Sequence, residues 1–147
     1  MSKSRSNKTV VPFRLIPLDD DGAHLTVDAK INGTKIKLLI DTGASKTVFD
    51  RKRMRELMRK KKFHRNDGLS VGLGTSRMKR HFTELEKFSI GELVIENFKT
   101  VLLDLKIVNR SYALLRLPPI DGVLGGDILN QYRAEINYGK KVLILFI

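Results

Sequence analysis

The stretch Leu38-Leu39-Ile40-Asp41-Thr42-Gly43-Ala44-Ser45 places a carboxylate directly after three consecutive aliphatic residues. Such a run is typical of a buried strand, which would hold Asp41 on a rigid support at the end of the strand. Thr42 adds a hydroxyl group, and Gly43 allows the backbone to turn tightly. Two interpretations remain open from these residues alone. Asp41 is either an acid–base group or the start of an Asx turn, in which its carboxylate accepts backbone N–H groups.

A β-hairpin is predicted immediately before this stretch. His24–Ile31 alternates apolar and polar residues, as a half-buried strand does. Thr34–Ile40 follows after Asn32-Gly33, a dipeptide strongly favoured in two-residue hairpin turns. Val10–Ile16 is predicted to be an edge strand or a strand start, since Pro12 cannot donate a hydrogen bond to a sheet. The Asp41 stretch is therefore expected at the end of a hairpin.

After Asp50 the sequence predicts short strands with one or two short helices. The predicted elements are a helix over Arg51–Lys62 capped by Asp50, hairpins over Leu69–His81 and Phe82–Leu105, a loop over Asn109–Pro119, a short helix near Asp127–Tyr132, and a final hairpin over Ala134–Ile147. Asp121 is interpreted as a turn residue and Asp127 as the N-cap of the short helix, both bonding to loop backbone. The predicted fold class is an all-β, barrel-like domain.

Length and composition narrow the class of protein. The 147 residues suit a single domain, predicted over residues 10–147 after a flexible basic segment at residues 1–9. The chain has no cysteine, which excludes a disulfide framework and thiol catalysis. We expect no metal site, since the three histidines are scattered. No signal peptide or apolar stretch long enough to span a membrane is seen, and a cytoplasmic location is expected.

The net charge of +12 is concentrated in one segment. Arg51–Arg65 contains nine Lys or Arg residues and one acid, Glu56. Such a local excess can attract nucleic acid or an acidic protein. The sequence favours instead a solvated helix face, because no aromatic residues alternate with the basic ones as base stacking would require.

Two motifs in this order resemble those of the retropepsin-like aspartic proteases, the single-domain group that includes the retroviral proteases and bacterial relatives. Lys30–Ser45 (KINGTKIKLLIDTGAS) resembles the family's hairpin and Asp loop, and Ile120–Leu129 (IDGVLGGDIL) resembles its second motif. Ser70–Arg80 resembles the flap hairpin that closes over substrate. The resemblance extends from about Pro12 to Ile147. It implies an acid protease barrel that forms one half of a pepsin-like two-fold arrangement.

The resemblance implies an aspartic endopeptidase that needs no cofactor. Such an enzyme places two carboxylates about 3 Å apart, sharing one proton, and activates a water molecule between them. This chain has a single Asp-Thr-Gly sequence. A homodimer is therefore implied, in which Asp41 of each copy meets its counterpart on the two-fold axis and a peptide or protein substrate binds between the copies.

Roles for individual residues are likewise implied by the resemblance. Asp41 is the catalytic carboxylate, Thr42 bonds across the dimer, and Gly43 provides a close backbone approach. Ala44 lacks the hydroxyl that some relatives carry, so a mildly acidic to near-neutral pH optimum is expected. Two further groups of residues complete the site: Gly72, Leu73 and Gly74 of the flap lie over the substrate, and Val123, Leu124 and Gly125 of the second motif pack beneath the Asp loop.

The chain departs from the retroviral pattern at Ser45 and Gly126. Retroviral members carry an acidic residue and an arginine at these places, which pair near the dimer interface. The dimer contact must therefore be built differently here or be weak. A second interpretation is a catalytically silent dimer of the same fold that binds an acidic partner or nucleic acid through Arg51–Arg65.

Overall fold

A computed structural model describes residues 7–18, 22–61, 70–71 and 81–147 of the chain, with the side chains of all but 58–61, 70–71 and 81. These residues contain ten strands and three helices. In chain order they are β1 (Lys8–Pro17), β2 (Ala23–Ile31), β3 (Thr34–Ile40), β4 (Val48–Asp50), α1 (Arg51–Lys61), β5 (Ser70–Val71), β6 (His81–Ile90), β7 (Leu93–Leu103), α2 (Lys106–Leu114), β8 (Gly122–Leu124), α3 (Gly126–Gln131), β9 (Glu135–Asn137) and β10 (Val142–Phe146). None of the described helices is long and apolar enough to cross a membrane.

The strands form one sheet that closes on itself. The strand order is β5-β6-β7-β4-β8-β3-β2-β1-β10-β9, and β6 also pairs with β2. This additional pairing closes a barrel of six strands, in the order β2-β3-β8-β4-β7-β6. The strands β1, β10 and β9 continue the sheet outside the barrel. The predicted all-β, barrel-like fold class is confirmed.

The hairpin before the Asp41 stretch forms as predicted. Asn32 and Gly33 both have positive φ angles, of 49° and 84°, which a two-residue hairpin turn with the correct twist requires. The turn pairs Ile31 with Thr34 and sets the register of β2 against β3. Alternate residues of β2 and the three aliphatic residues at the end of β3 are consequently buried: Leu25, Val27, Ala29, Ile31, Leu38, Leu39 and Ile40.

The strand β8 lies between β3 and β4. It pairs parallel to β3, with Ile40 opposite Leu124, and antiparallel to β4. In a parallel pair, the residues that follow the two strands lie at the same edge of the sheet. The residues after Ile40 and the residues after Leu124 are thereby brought side by side. The short strand β4, which the sequence analysis did not predict, completes this arrangement.

The loop predicted over Asn109–Pro119 is wrong in its first half, where α2 runs to Leu114. In α2, Tyr112 is buried and packs, together with the partly buried Val108, in a small core beside the barrel. Its hydroxyl group is hydrogen-bonded to Nδ1 of His24 at 3.0 Å, and burial raises the pKa of Tyr112. The helix is therefore held against this small core by Tyr112 and Val108, whereas its other large apolar side chains are exposed, so the sequence shows no continuous apolar stripe.

Asp50 joins the beginnings of two helices. Its side chain is 4% exposed. Oδ2 accepts a hydrogen bond from Arg53 N at 2.9 Å, which caps α1 as predicted. Oδ1 accepts a second hydrogen bond from Leu105 N at 2.8 Å, directly before α2. One carboxylate thus satisfies two backbone donors, one three residues and the other 55 residues away from it in sequence.

Replacement of this carboxylate should be costly. In Asp50→Ala, two backbone N–H groups lose their acceptor and a small cavity is left, so we expect the free energy of unfolding to fall by about 2 kcal/mol. Urea denaturation monitored by circular dichroism measures this change. Asp104→Ala is the matched control, because Asp104 is exposed and accepts a single hydrogen bond, from Lys106 N. Equal losses in the two variants would contradict the role assigned to Asp50.

Candidate active site

Asp41 lies where two buried parallel strands end. Its backbone N–H donates a hydrogen bond to Leu124 O at 3.0 Å, which extends the β3–β8 pairing by one residue. Ile40, immediately before it, is 8% exposed, whereas Asp41 itself is exposed. The strand pair therefore holds the backbone of Asp41 rigidly while its side chain reaches the surface.

The loop after Asp41 orients the carboxylate. Gly43 N donates to Asp41 Oδ1 at 2.9 Å, and Ala44 N donates to the backbone O of Asp41 at 3.1 Å. The Asx turn that the sequence allowed is thus formed, and the same hydrogen bond directs the carboxylate. Among the described residues no hydrogen bond is made to Oδ2. One oxygen atom is held by the loop, and the other is available to a water molecule, a substrate or a second carboxylate.

The second motif supports this loop from below. Gly126 N donates to Ala44 O at 2.6 Å, and Asp127 N donates to Ser45 O at 3.1 Å. A Cβ atom on Gly125 would lie 2.5 Å from Lys46 O and 2.9 Å from Ala44 O. Only glycine permits such a close approach of two backbones. The backbone of residues 123–126 is therefore in direct contact with the backbone of the loop over residues 41–47.

A threonine and an aspartate that the sequence analysis did not assign to the site connect these two segments. Thr47 is 2% exposed, and its Oγ1 donates to Asp127 Oδ1 at 2.7 Å while it accepts from Gly125 N at 2.9 Å. Thr47 N also donates to Asp127 Oδ1, at 2.9 Å. The sequence offered only one signal for the role of Thr47, a hydroxyl residue followed by two apolar residues. Its partner lies 80 residues away, so no local pattern could identify it.

The roles predicted for Asp121 and Asp127 need correction. Asp127 is not the N-cap of α3: the cap position is Gly125, without a side-chain hydrogen bond, and Asp127 lies within the first turn. Asp121 is not a simple turn residue either. It is 7% exposed, and it accepts from Lys37 N at 2.8 Å and from Arg53 Nε at 2.7 Å. The expected bonding to loop backbone is confirmed for Asp127, through Thr47 N, whereas the backbone partner of Asp121, Lys37 N, lies within β3.

Of the other residues predicted for the site, the structure describes those of the Asp loop but not those of the flap. Thr42 and Gly43 are exposed beside Asp41, and Ala44 is half-buried. The flap residues Gly72, Leu73 and Gly74 lie outside the described residues. The two ends of that predicted hairpin are described, however, and they pair antiparallel, with Ser70 opposite Phe82 and Val71 opposite His81.

No group that could hold a metal ion is found in the part of the chain that the structure describes, where His, Asp and Glu side chains do not gather in threes. Two described surface clefts, one beside α1 and one beside β2, do not include Asp41. A single copy therefore presents Asp41 as an oriented carboxylate on an exposed edge.

Comparisons with known proteins agree with this geometry. A family model described as aspartyl protease matches residues 27–128. Protein DDI1 homolog 1 of Mus musculus is 25% identical to this chain over 128 residues, which are 84% of the chain and 27% of that protein. The Homo sapiens protein of the same name is 25% identical over 126 residues, 82% of this chain and 27% of that protein. The chain thus spans about a quarter of the length of the curated relatives it matches.

Among solved structures, a retropepsin-like aspartic protease from Rickettsia conorii is similar to this fold. The TM-score is 0.56 at 20% sequence identity, over 96% of this chain and 90% of that chain. Because the family model covers more than half of the chain, the protein belongs to the aspartyl protease family. Its fold is the retropepsin-like one that the two sequence motifs predicted.

Proposed function

We propose that this protein is an aspartic endopeptidase that acts as a homodimer, with one Asp41 contributed by each copy. The observation that carries the proposal is the Asp41 carboxylate. It is exposed at the end of two buried parallel strands, and one oxygen is held by Gly43 N at 2.9 Å. Membership of the aspartyl protease family supports this type of chemistry.

The proposed reaction requires two carboxylates with different protonation states. Two such groups about 3 Å apart share one proton, because both cannot carry a charge at that distance. The ionised carboxylate takes a proton from a water molecule, whose oxygen attacks the peptide carbonyl carbon. The protonated carboxylate donates its proton to the carbonyl oxygen. The C–N bond of the resulting tetrahedral intermediate then breaks as the nitrogen accepts a proton, and no covalent enzyme intermediate forms.

One copy supplies only half of this arrangement. Asp41 is the sole acidic residue in the loop over residues 41–47, and the two carboxylates nearest to it in the second motif are already engaged. Asp121 is bonded to Arg53, and Asp127 is bonded to Thr47. A second Asp41 is therefore the natural source of the second carboxylate. The proposed substrate is an extended peptide segment that lies between the copies.

A cleavage assay at several protein concentrations tests the proposal. A mixed peptide library is incubated with the protein at mildly acidic and at neutral pH, and the products are identified by mass spectrometry. If the site is formed only in a dimer, the rate rises faster than linearly with protein concentration until dimers predominate. Ultracentrifugation at the same concentrations reports the fraction of dimer. Absence of cleavage by a demonstrated dimer at either pH would overturn the proposal.

A further inference from the structure

A cleft of about 540 Å³ lies between α1 and α2, away from Asp41. It is of the size that binds a small ligand or a few side chains of a partner. Six basic side chains line it: Arg51, Lys52, Arg53 and Arg55 from α1, and Lys106 and Arg110 from α2. The α2 residues lie outside the basic segment recognised in the sequence. Folding therefore adds a second basic helix to the first.

The carboxylates in the lining do not neutralise most of these cations. Asp50 is buried and bonds to backbone N–H groups. Glu56 is paired with Arg53 at 3.4 Å, and Asp104 accepts from Lys106 N. Arg53 in turn donates to Asp121 at 2.7 Å, and this hydrogen bond raises the pKa of Arg53.

The remaining five basic side chains have no such partner among the side chains that the structure describes. Within residues 7–18, 22–57 and 82–147, no carboxylate lies in ion-pair distance of Arg51, Lys52, Arg55, Lys106 or Arg110. Lys52, Arg55, Lys106 and Arg110 are also exposed. The cleft therefore presents a surplus of positive charge to the solvent, on side chains that are not committed to the fold.

The other groups at the cleft indicate which class of anionic ligand it would bind. Three of the backbone N–H groups at the helix beginnings that could contact a phosphate are already hydrogen-bonded to carboxylates: Arg53 N and Leu105 N to Asp50, and Lys106 N to Asp104. No aromatic side chain is among the described lining residues, so the cleft provides no surface on which bases could stack. The groups that can contact an anion are therefore the guanidinium and ammonium groups, which lie beside the apolar Ala113 and Pro119. Guanidinium groups bind carboxylates with two parallel hydrogen bonds, so the lining favours a carboxylate ligand.

We propose that the cleft between α1 and α2 is a docking site for an acidic segment of a partner protein, rich in Asp and Glu. The site does not include Asp41 and does not require peptidase activity. It differs from a solvated basic face because residues of two helices, which are separated in sequence by the strands β5 to β7, converge on one concave surface.

Fluorescence anisotropy with a labelled acidic peptide tests the proposal. The probe is a fluorescein-labelled Gly/Ser peptide with interspersed Asp and Glu residues, and its control is the same peptide with Asn and Gln in their place. The test variant is Arg55→Glu with Arg110→Glu, one change on each helix. The matched control is Arg14→Glu with Lys140→Glu, which alters the net charge equally at exposed positions outside the cleft. Asp41→Asn is included to separate this site from the proposed catalytic one.

We expect the acidic peptide to bind, with affinity that falls as salt is added. The cleft variant should weaken binding about tenfold, whereas the control variant should weaken it less than about twofold. The Asn/Gln peptide should not bind, and Asp41→Asn should bind as the wild type does. If the charge-reversed variant does not unfold cooperatively, Arg55→Gln with Arg110→Gln replaces it, with an expected weakening of roughly threefold.

Several results would overturn the proposal. Equal weakening in the cleft and control variants would mean that net charge alone attracts the peptide. Binding of single-stranded DNA through the same residues, without binding of the acidic peptide, would make the cleft a nucleic-acid surface. Loss of peptide binding in Asp41→Asn would place the peptide at the catalytic edge, which would refute the docking site and leave the proposed peptidase standing.

Discussion

Asp41→Asn should abolish peptide cleavage and leave the fold unchanged. An asparagine can still accept the hydrogen bond from Gly43 N through its Oδ1, so the loop over residues 41–47 keeps its geometry. It cannot take a proton from water or donate one to the carbonyl oxygen. Since general acid–base catalysis contributes about two to four orders of magnitude, we expect the rate to fall by about three orders of magnitude.

The measurement is the initial rate of cleavage of one substrate selected from the peptide library. Asp104→Asn is the matched control, because Asp104 is an exposed aspartate with a single backbone hydrogen bond and lies away from the Asp loop. Its rate should equal that of the wild type. Wild-type activity in Asp41→Asn would refute the proposed mechanism, whatever the oligomeric state of the variant.

A mixing experiment extends the same variant to the dimer. If each active site needs Asp41 from both copies, an excess of Asp41→Asn subunits should trap wild-type subunits in inactive mixed dimers. Activity would then fall well below that of wild type diluted with buffer. A mixture that retained the full activity of its wild-type fraction would show that a single copy is sufficient.

Gly125→Ala should destabilise the fold strongly. The added Cβ would lie 2.5 Å from Lys46 O, 2.6 Å from Lys46 C and 2.9 Å from Ala44 O. All three are backbone atoms, so no side-chain rotation can relieve the contact, and the two segments must move apart. Overpacking of this kind costs typically about 1–3 kcal/mol, and we expect a loss near the upper end, about 3 kcal/mol.

The adjacent glycine supplies the control. On Gly126 the nearest atom to an added Cβ would be Ala44 O at 3.3 Å, a contact that a slight shift relieves. Gly126→Ala should therefore lower the free energy of unfolding by less than about 1 kcal/mol. Urea denaturation of both variants gives the comparison, and peptide cleavage by folded Gly125→Ala reports whether Asp41 is displaced. Equal stability of the two variants would contradict the close backbone contact described here.

The sequence analysis predicted the elements whose signals are local. Asn32-Gly33 predicted the turn, the alternation in β2 predicted its buried face, and Asp50 predicted the start of α1. It failed over α2, because the apolar residues of this short helix do not form one stripe: Ile107 and Leu114 are exposed, whereas Tyr112 is buried. The second core that receives Tyr112 is formed by residues distant in sequence, among them Ile16, Leu39 and Ile120. The stabilisation of α2 by this core could therefore not be predicted from the sequence of α2 alone.

For the candidate site, the sequence by itself predicted which residues would carry the chemistry and determined which family they resemble. The run of aliphatic residues, the carboxylate and the small residues after it are contiguous. The motif can therefore be recognised without knowing which distant residues it contacts. Only the tertiary structure decided what supports them. Thr47 meets Asp127 across 80 residues, Arg53 meets Asp121 across 68, and α2 joins the basic helix α1 at one cleft. The contact of Thr47 with Asp127 depends on the parallel pairing of β3 with β8, which brings together two segments that no local pattern of residues connects.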